Sequence, residues 1–139
     1  MAIRLAASDD DLRSCYPVMK QLRPGYSEHD FVARVRRQEQ HGYKLAMLVD
    51  GSRVVAVAGY RLGQNLAWRR FLYVDDLVTD DSQRSSGHGA RLLEWLRVTA
   101  GEAGCDELHL DSGVQRFDAH RFYLRHGMKI ASHHFSQEL

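Results

Sequence analysis

Cysteine is scarce in this chain: only Cys15 and Cys105 occur among 139 residues. Two isolated thiols exclude a disulfide framework and a zinc motif. Neither has an obvious basic or helix-start setting that would activate it, so both read as reduced bystanders and the expected location is cytoplasmic. Charge of one sign is missing too. The 19 basic side chains face 18 acidic ones, a net charge of +1, and no block of like charge offers a surface to nucleic acid or membrane. No apolar run approaches the roughly 20 residues that span a bilayer. The opening Met1 to Leu5 lacks the apolar core of a signal peptide. Among the 8 histidines, His133 and His134 are neighbours whose rings diverge in a strand, while His109, His120 and His126 fall on separate elements. No His-Glu-x-x-His spacing appears, so no metal is expected. A Gly-x-Ser-x-Gly nucleophile elbow is also absent.

What is present fits one globular domain over residues 1–139, with 44% hydrophobic and 27% charged residues. Ile3 to Ala6 reads as a short strand. Ser8 then caps a helix whose Leu12, Cys15, Tyr16, Met19 and Leu22 share one face. Pro17 should kink or split that helix near Arg13, because its ring clashes with the carbonyl four residues back. Arg23 to Tyr26 is a turn, and Ser27 opens a second helix with Phe31, Val32 and Val35 inward. Tyr43 to Val49 and Val54 to Tyr60 form a hairpin through Asp50 and Gly51. Leu62 to Ala67 reads as a loop, Trp68 to Thr79 as a longer strand, and His88 to Ala103 as a helix stopped by Gly104. Leu108 to Ser112 is a strand, Phe117 to His126 a short helix, and Lys129 to Phe135 a closing strand. The order implies an α/β fold with antiparallel early strands and later crossovers.

The stretch from Tyr73 to Leu96 organises the chain. It runs from a strand through a polar connection and a glycine-containing turn into a helix. Gly87 and Gly89 stand where that helix begins, and its first N–H groups have no intrahelical partner. The macrodipole adds partial positive charge there, which makes an anion site suited to phosphate. A dinucleotide fingerprint would need a third glycine where Leu92 stands, and no Gly-Lys-Ser or Gly-Lys-Thr occurs. What remains is Arg84-x-x-Gly87-x-Gly89.

That pattern resembles the acyl-coenzyme A signature of the GCN5-related N-acetyltransferase superfamily, and the element order resembles that superfamily's over the whole chain. The resemblance implies a single-domain acyl-CoA N-acyltransferase fold, with a mixed twisted sheet flanked by helices, and acetyl-CoA as cosubstrate. It implies that Arg84, Ser85, Ser86, Gly87, His88, Gly89 and Ala90 hold the pyrophosphate. It also implies a bulge around Leu77 and Val78 that splays two strands, so that Leu77, Val78 and Thr79 offer backbone N–H groups to the pantetheine arm and the thioester oxygen. A second segment, Ala119 to Met128 with Phe122, Tyr123 and Gly127, is similar to the superfamily's segment whose tyrosine protonates the departing thiolate. Tyr123 holds that place. A phenol with a pKa near 10 keeps its proton at neutral pH, and a thiolate leaves better when a proton is supplied. Packing alone would also explain Tyr123. Where many relatives carry a cofactor-binding asparagine, this chain has Arg116, which could meet phosphate or acceptor or stand in solvent.

Asp75 and Asp76 are the odd pair of the central strand. Neighbours in a regular strand point to opposite faces, so these are not expected to share a proton. Buried carboxylates are rare unless paired or functional. One role is to take the proton from an acceptor ammonium, whose neutralisation at pH 7 costs about 4–5 kcal/mol for a lysine-like amine. The other is an ion pair with Arg61, Arg69 or Arg70. The expected activity is transfer of acetyl from acetyl-CoA to the primary amine of a small molecule or peptide, by direct attack on the thioester. The alternative is a non-catalytic acyl-CoA sensor. Tyr26, Trp68 and the acidic pair hint at a cationic acceptor, walled by Arg23 to Ser27, Leu62 to Trp68 and the C-terminal strand. That last strand could also pair with a second copy, giving a homodimer.

Overall fold

The computed structural model describes all residues, Met1–Leu139. It divides into two compact units, Met1–His109 and Leu110–Leu139. The first holds β1 (Ala2–Leu5), α1 (Asp9–Leu22), α2 (Glu28–Glu39), β2 (Lys44–Asp50), β3 (Arg53–Asn65), β4 (Arg69–Thr79) and α3 (His88–Glu102). β5 (Glu107–Leu110) follows α3, and α4 (Phe117–Arg125) belongs to the second unit. The sheet has 5 strands in the order β1-β2-β3-β4-β5. The pairs β1–β2, β2–β3 and β3–β4 are antiparallel.

α1 starts where Ser8 accepts a hydrogen bond from the Asp11 N–H while the Asp11 carboxylate accepts from the Ser8 N–H, a reciprocal cap. Arg4 donates to both Asp11 oxygens at 2.9 and 3.0 Å. Together with the Ala7 N–H, it holds that carboxyl well below the usual carboxylate range. The helix runs through Pro17 without being split. Proline costs one backbone bond and some crowding, whereas Leu12, Cys15, Val18 and Met19 bury a continuous stripe along the helix.

Val54 to Tyr60 of β3 are buried without interruption, as expected for a central strand covered on both faces. Leu45 and Met47 of β2 join Leu12, Cys15, Met19, Phe31 and Val35 in one cluster with α1 and α2. Ala46 and Leu48 alternate with them and are buried outside that cluster. α3 contacts β3 and β4 and buries Leu92, Leu93, Leu96 and Ala100. Cys15 lies inside the first cluster, 3.7 Å from the Met47 sulfur. Burial pushes its thiol up to about 12. At pH 8 it should therefore stay a thiol and resist alkylation in the native protein, while half-buried Cys105 reacts first. Mass spectrometry after a brief iodoacetamide pulse checks this, and two labels at equal rates would contradict the burial.

Three expectations change. Leu62 to Asn65 is strand rather than loop: it pairs with β4 through Leu62↔Leu72, Gly63↔Phe71, Gln64↔Arg70 and Asn65↔Arg69. The polar, glycine-containing sequence hid this, because the pairing comes from the partner strand. Trp68 consequently stands at the hairpin end, where it stacks on His109 with ring centroids 3.5 Å apart. Lys129 to Phe135 forms no strand. A strand exists through its hydrogen-bonded neighbour, and the sheet of this chain ends at β5. Ile130 and Phe135 are exposed. No helix is long and apolar enough to cross a membrane.

Candidate active site

β4 carries the first part of the site. Asp76 pairs with Gly59 of β3, but Val74 pairs with Tyr60, so Asp75 is an extra residue in the ladder. Such a bulge bends its strand and interrupts the alternation of faces. Asp75 and Asp76 therefore both line one open groove of about 230 Å³, where regular pleating would have separated them. The bulge lies just ahead of Leu77 and Val78, which stay in register with Ala58 and Val57. Gly59 allows the irregularity, because no side chain there competes with the groups that crowd against it.

Each carboxylate is engaged. Asp75 accepts from Arg61 Nε at 2.8 Å and Nη2 at 2.9 Å, so of the three arginines weighed above, Arg61 is its partner. Asp76 Oδ1 accepts from Arg23 Nε at 3.0 Å, and Oδ2 accepts from the Tyr43 hydroxyl at 2.7 Å. Arg23 Nη2 also donates to the Asp75 carbonyl at 3.0 Å. Tyr43 is buried, and burial, followed by the charge of Asp76, raises its phenol well above 10. Neither Tyr43 nor Arg23 was singled out as a partner of the acidic pair from the sequence. The available signal was that a tyrosine in an otherwise apolar strand needs an acceptor for its hydroxyl.

Beyond the bulge, the Asp80 N–H donates to the Val55 carbonyl at 2.9 Å. N–H groups alternate from edge to edge along a strand, so Val78 also faces β3, while Leu77 and Thr79 turn their N–H groups the other way. β5 has only 4 residues, and Asp106, just before it, bonds to the Arg70 carbonyl near the start of β4. Leu77 to Thr79 therefore lie past the length of β5. Of the three residues, Leu77 and Thr79 turn their N–H groups away from β3, and the Val78 side chain belongs to the core.

The polar connection is anchored at its base. Asp80 accepts from Arg53 at 2.6 Å and from Gln21 at 3.2 Å, and Gln21 accepts from the Asp81 N–H. Arg53 holds the Asp80 carboxyl below its ordinary value. A 3-10 turn, Asp81–Gln83, leads to Ser85 at φ +66° and to Gly87 at φ +81°, the residue that caps α3. No side chain caps α3 and its first turn holds no acidic residue, so the N–H groups at His88, Gly89 and Ala90 have no carboxylate neighbour in that turn. Arg84 is paired with Asp81 at 2.6 Å, and Ser85 and Ser86 are exposed. His88 is the surprise. It is 5% exposed, and both of its ring nitrogens lack a hydrogen-bond partner.

In the second unit, Tyr123 lies on α4 with its ring 5.4 Å from Phe122. Burial raises its phenol above the ordinary value, against an opposing effect of the Arg116 charge. Arg116 occupies the N-cap position of α4 and makes no side-chain cap.

The chain as a whole is similar to known acetyltransferases. The model of the Acetyltransferase (GNAT) family matches residues 6–128. The uncharacterized N-acetyltransferase YhdJ of Bacillus subtilis (strain 168) is 32% identical over 130 residues, covering 92% of each chain. The aminoalkylphosphonate N-acetyltransferase of Salmonella typhimurium is 27% identical over 139 residues, covering 96% of this chain and 88% of that one. Among solved structures, the aminoglycoside N-acetyltransferase AAC(6')-Iy in complex with CoA superposes with a TM-score of 0.86 at 14% identity, over 99% of this chain and 93% of that one. A transcriptional regulator from Bacillus halodurans C-125 gives a TM-score of 0.86 at 23% identity, over 99% of both. With a family match over nearly its full length and a close curated relative, this chain belongs to the acetyltransferase (GNAT) family and is an acetyl-CoA-dependent N-acetyltransferase.

Proposed function

We propose that the protein moves an acetyl group from acetyl-CoA to the primary amine of an acceptor seated in the groove beside Asp75 and Asp76, by direct attack of the amine on the thioester. The observation that carries this reading is the bulge at Asp75, which brings both carboxylates to the groove. The same strand then presents Leu77 and Thr79 at its open edge and leads to the uncapped start of α3.

The residues present fit the cosubstrate. An α3 N-terminus without an acidic neighbour suits a diphosphate, and the orphaned nitrogens of buried His88 call for a polar partner. Arg84 to Ala90 would hold the pyrophosphate mainly through main chain, with Leu77 and Thr79 directed at the arm and the thioester oxygen. Fixed N–H donors of this kind stabilise a developing oxyanion. Acetyl-CoA supplies an acyl group activated as a thioester. A carboxylate has about four lone-pair sites, and Asp75 and Asp76 each accept two side-chain bonds. Each therefore retains capacity to accept from an ammonium or from a water that relays its proton.

Tyr123 is assigned the proton for the departing sulfur. Its raised pKa keeps the phenol protonated to higher pH than an ordinary tyrosine, so activity should show no downturn from this group below about pH 10. Tyr123→Phe should cut turnover by about 10²-fold while leaving acetyl-CoA affinity near normal. Unchanged turnover would reduce Tyr123 to packing. The reading as a whole is tested by thiol release from acetyl-CoA across a panel of primary amines. Acetyl-CoA binding with no amine-dependent thiol release would refute it.

A further inference from the structure

The groove holds one charged side chain that has no ion-pair partner. Four charged side chains line it: Arg23, Arg34, Asp75 and Asp76. Arg23 and Asp76 neutralise each other, and Asp75 is neutralised by Arg61. Arg34, on α2, has no carboxylate partner. Its guanidinium lies 5.3 Å from the centre of the Tyr26 ring. A cation–π contact engages the charge and not the N–H groups of a guanidinium, whose fork matches a carboxylate or phosphonate bidentately. Gln38, four residues further along the same helix face, also lines the groove and adds an amide donor.

An acceptor with only an ammonium would therefore enter a groove whose acids are already compensated and whose one unbalanced charge is positive. The acidic pair, read from the sequence as a hint of a cationic acceptor, carries no net negative charge once Arg23 and Arg61 are in place. We infer that the acceptor is an amine that also bears an anionic group, a carboxylate, phosphonate or phosphate, and that Arg34 is the specificity-determining residue that reads it. The ammonium end lies toward Asp75 and Asp76 and the anionic end toward Arg34, with Tyr26 supporting the guanidinium. This rests on the assignment of the groove to the acceptor.

The test uses the full chain with acetyl-CoA and four short amines of matched length: β-alanine, aminoethylphosphonate, β-alaninamide and diaminopropane. Thiol release gives kcat/KM for each, and calorimetry gives binding of aminoethylphosphonate to the CoA-saturated protein. The two anionic amines should exceed the neutral amide by about tenfold to a hundredfold, the range of one charge-assisted contact, and their ratio tells carboxylate from phosphonate. Arg34→Gln should collapse that preference, mostly through KM, and Arg34→Lys should restore part of it. Acetylation of the neutral amide or the diamine at equal or higher efficiency would overturn the inference while leaving the transferase reading intact, as would an unchanged preference in Arg34→Gln. If no amine releases thiol but aminoethylphosphonate binds the wild type and not Arg34→Gln, catalysis at the groove fails and the anion reader stands. Absence of both turnover and binding overturns the inference.

Discussion

Gly87→Glu should weaken acetyl-CoA binding by about a hundredfold or more while leaving the protein folded. Gly87 caps α3 at φ +81°, and a Cβ built there meets nothing within 4 Å. The folded protein therefore suffers only the backbone penalty, about 1–2 kcal/mol for an L-residue held in the left-handed region. A carboxylate at a helix N-terminus offsets part of that cost. The same carboxylate stands where the proposed diphosphate would approach. Like charges brought together at a binding site cost several kcal/mol, and each 1.4 kcal/mol is a factor of ten. Gly87→Ala separates the two effects, since it carries the strain without the charge and should lose far less affinity. Calorimetric titration with CoA, beside a urea melt of each variant, makes the comparison. Wild-type affinity in Gly87→Glu would remove the phosphate cradle from α3.

The second large effect lies at Gly59, and here stability should suffer. A Cβ at this position would fall 1.9 Å from the Tyr43 hydroxyl oxygen, 2.4 Å from Tyr43 Cζ and 2.7 Å from Asp76 Oδ2. Tyr43 is buried just ahead of β2 and cannot swing aside cheaply. Gly59→Ala should therefore cost about 3–5 kcal/mol, by combining overpacking with a broken bond between a buried hydroxyl and a carboxylate. Tyr43→Phe removes only the 2.7 Å bond to Asp76 and should cost about 1–3 kcal/mol. Urea unfolding of both variants reads the difference. If Gly59→Ala were as stable as the wild type, the close approach of Tyr43 to β3 would be wrong. Folded Tyr43→Phe should also lose activity, because Asp76 would then keep Arg23 alone as a side-chain donor.

The helices were legible because each has a local cause. Ser8 and Ser27 cap α1 and α2 with their own side chains. The apolar stripe of α3 recurs at helical spacing, and Gly104 and Gly127 adopt the positive φ expected past a helix end. The glycine turn that opens α3 was legible for the same reason, since its geometry comes from glycine and from backbone groups that any helix leaves open. Strand limits were less readable. β3 runs on to Asn65 through polar residues because β4 pairs with it, and Lys129 to Phe135 forms no strand despite an acceptable local pattern.

By itself, the order of residues determined the α/β element order, the helix caps, the glycine-opened start of α3 and the identity of the acids on β4. These follow from φ preferences, capping and periodicity within a few residues. Only the tertiary structure decided that Asp75 is a bulge, that both carboxylates consequently line one groove, that Arg61, Arg23 and Tyr43 compensate them, and that Arg34 is left without a counter-ion. Those contacts join the end of α1, α2, the approach to β2, β3 and β4. A charge's partner depends on where distant segments of the chain meet, and no local pattern of residues encodes that.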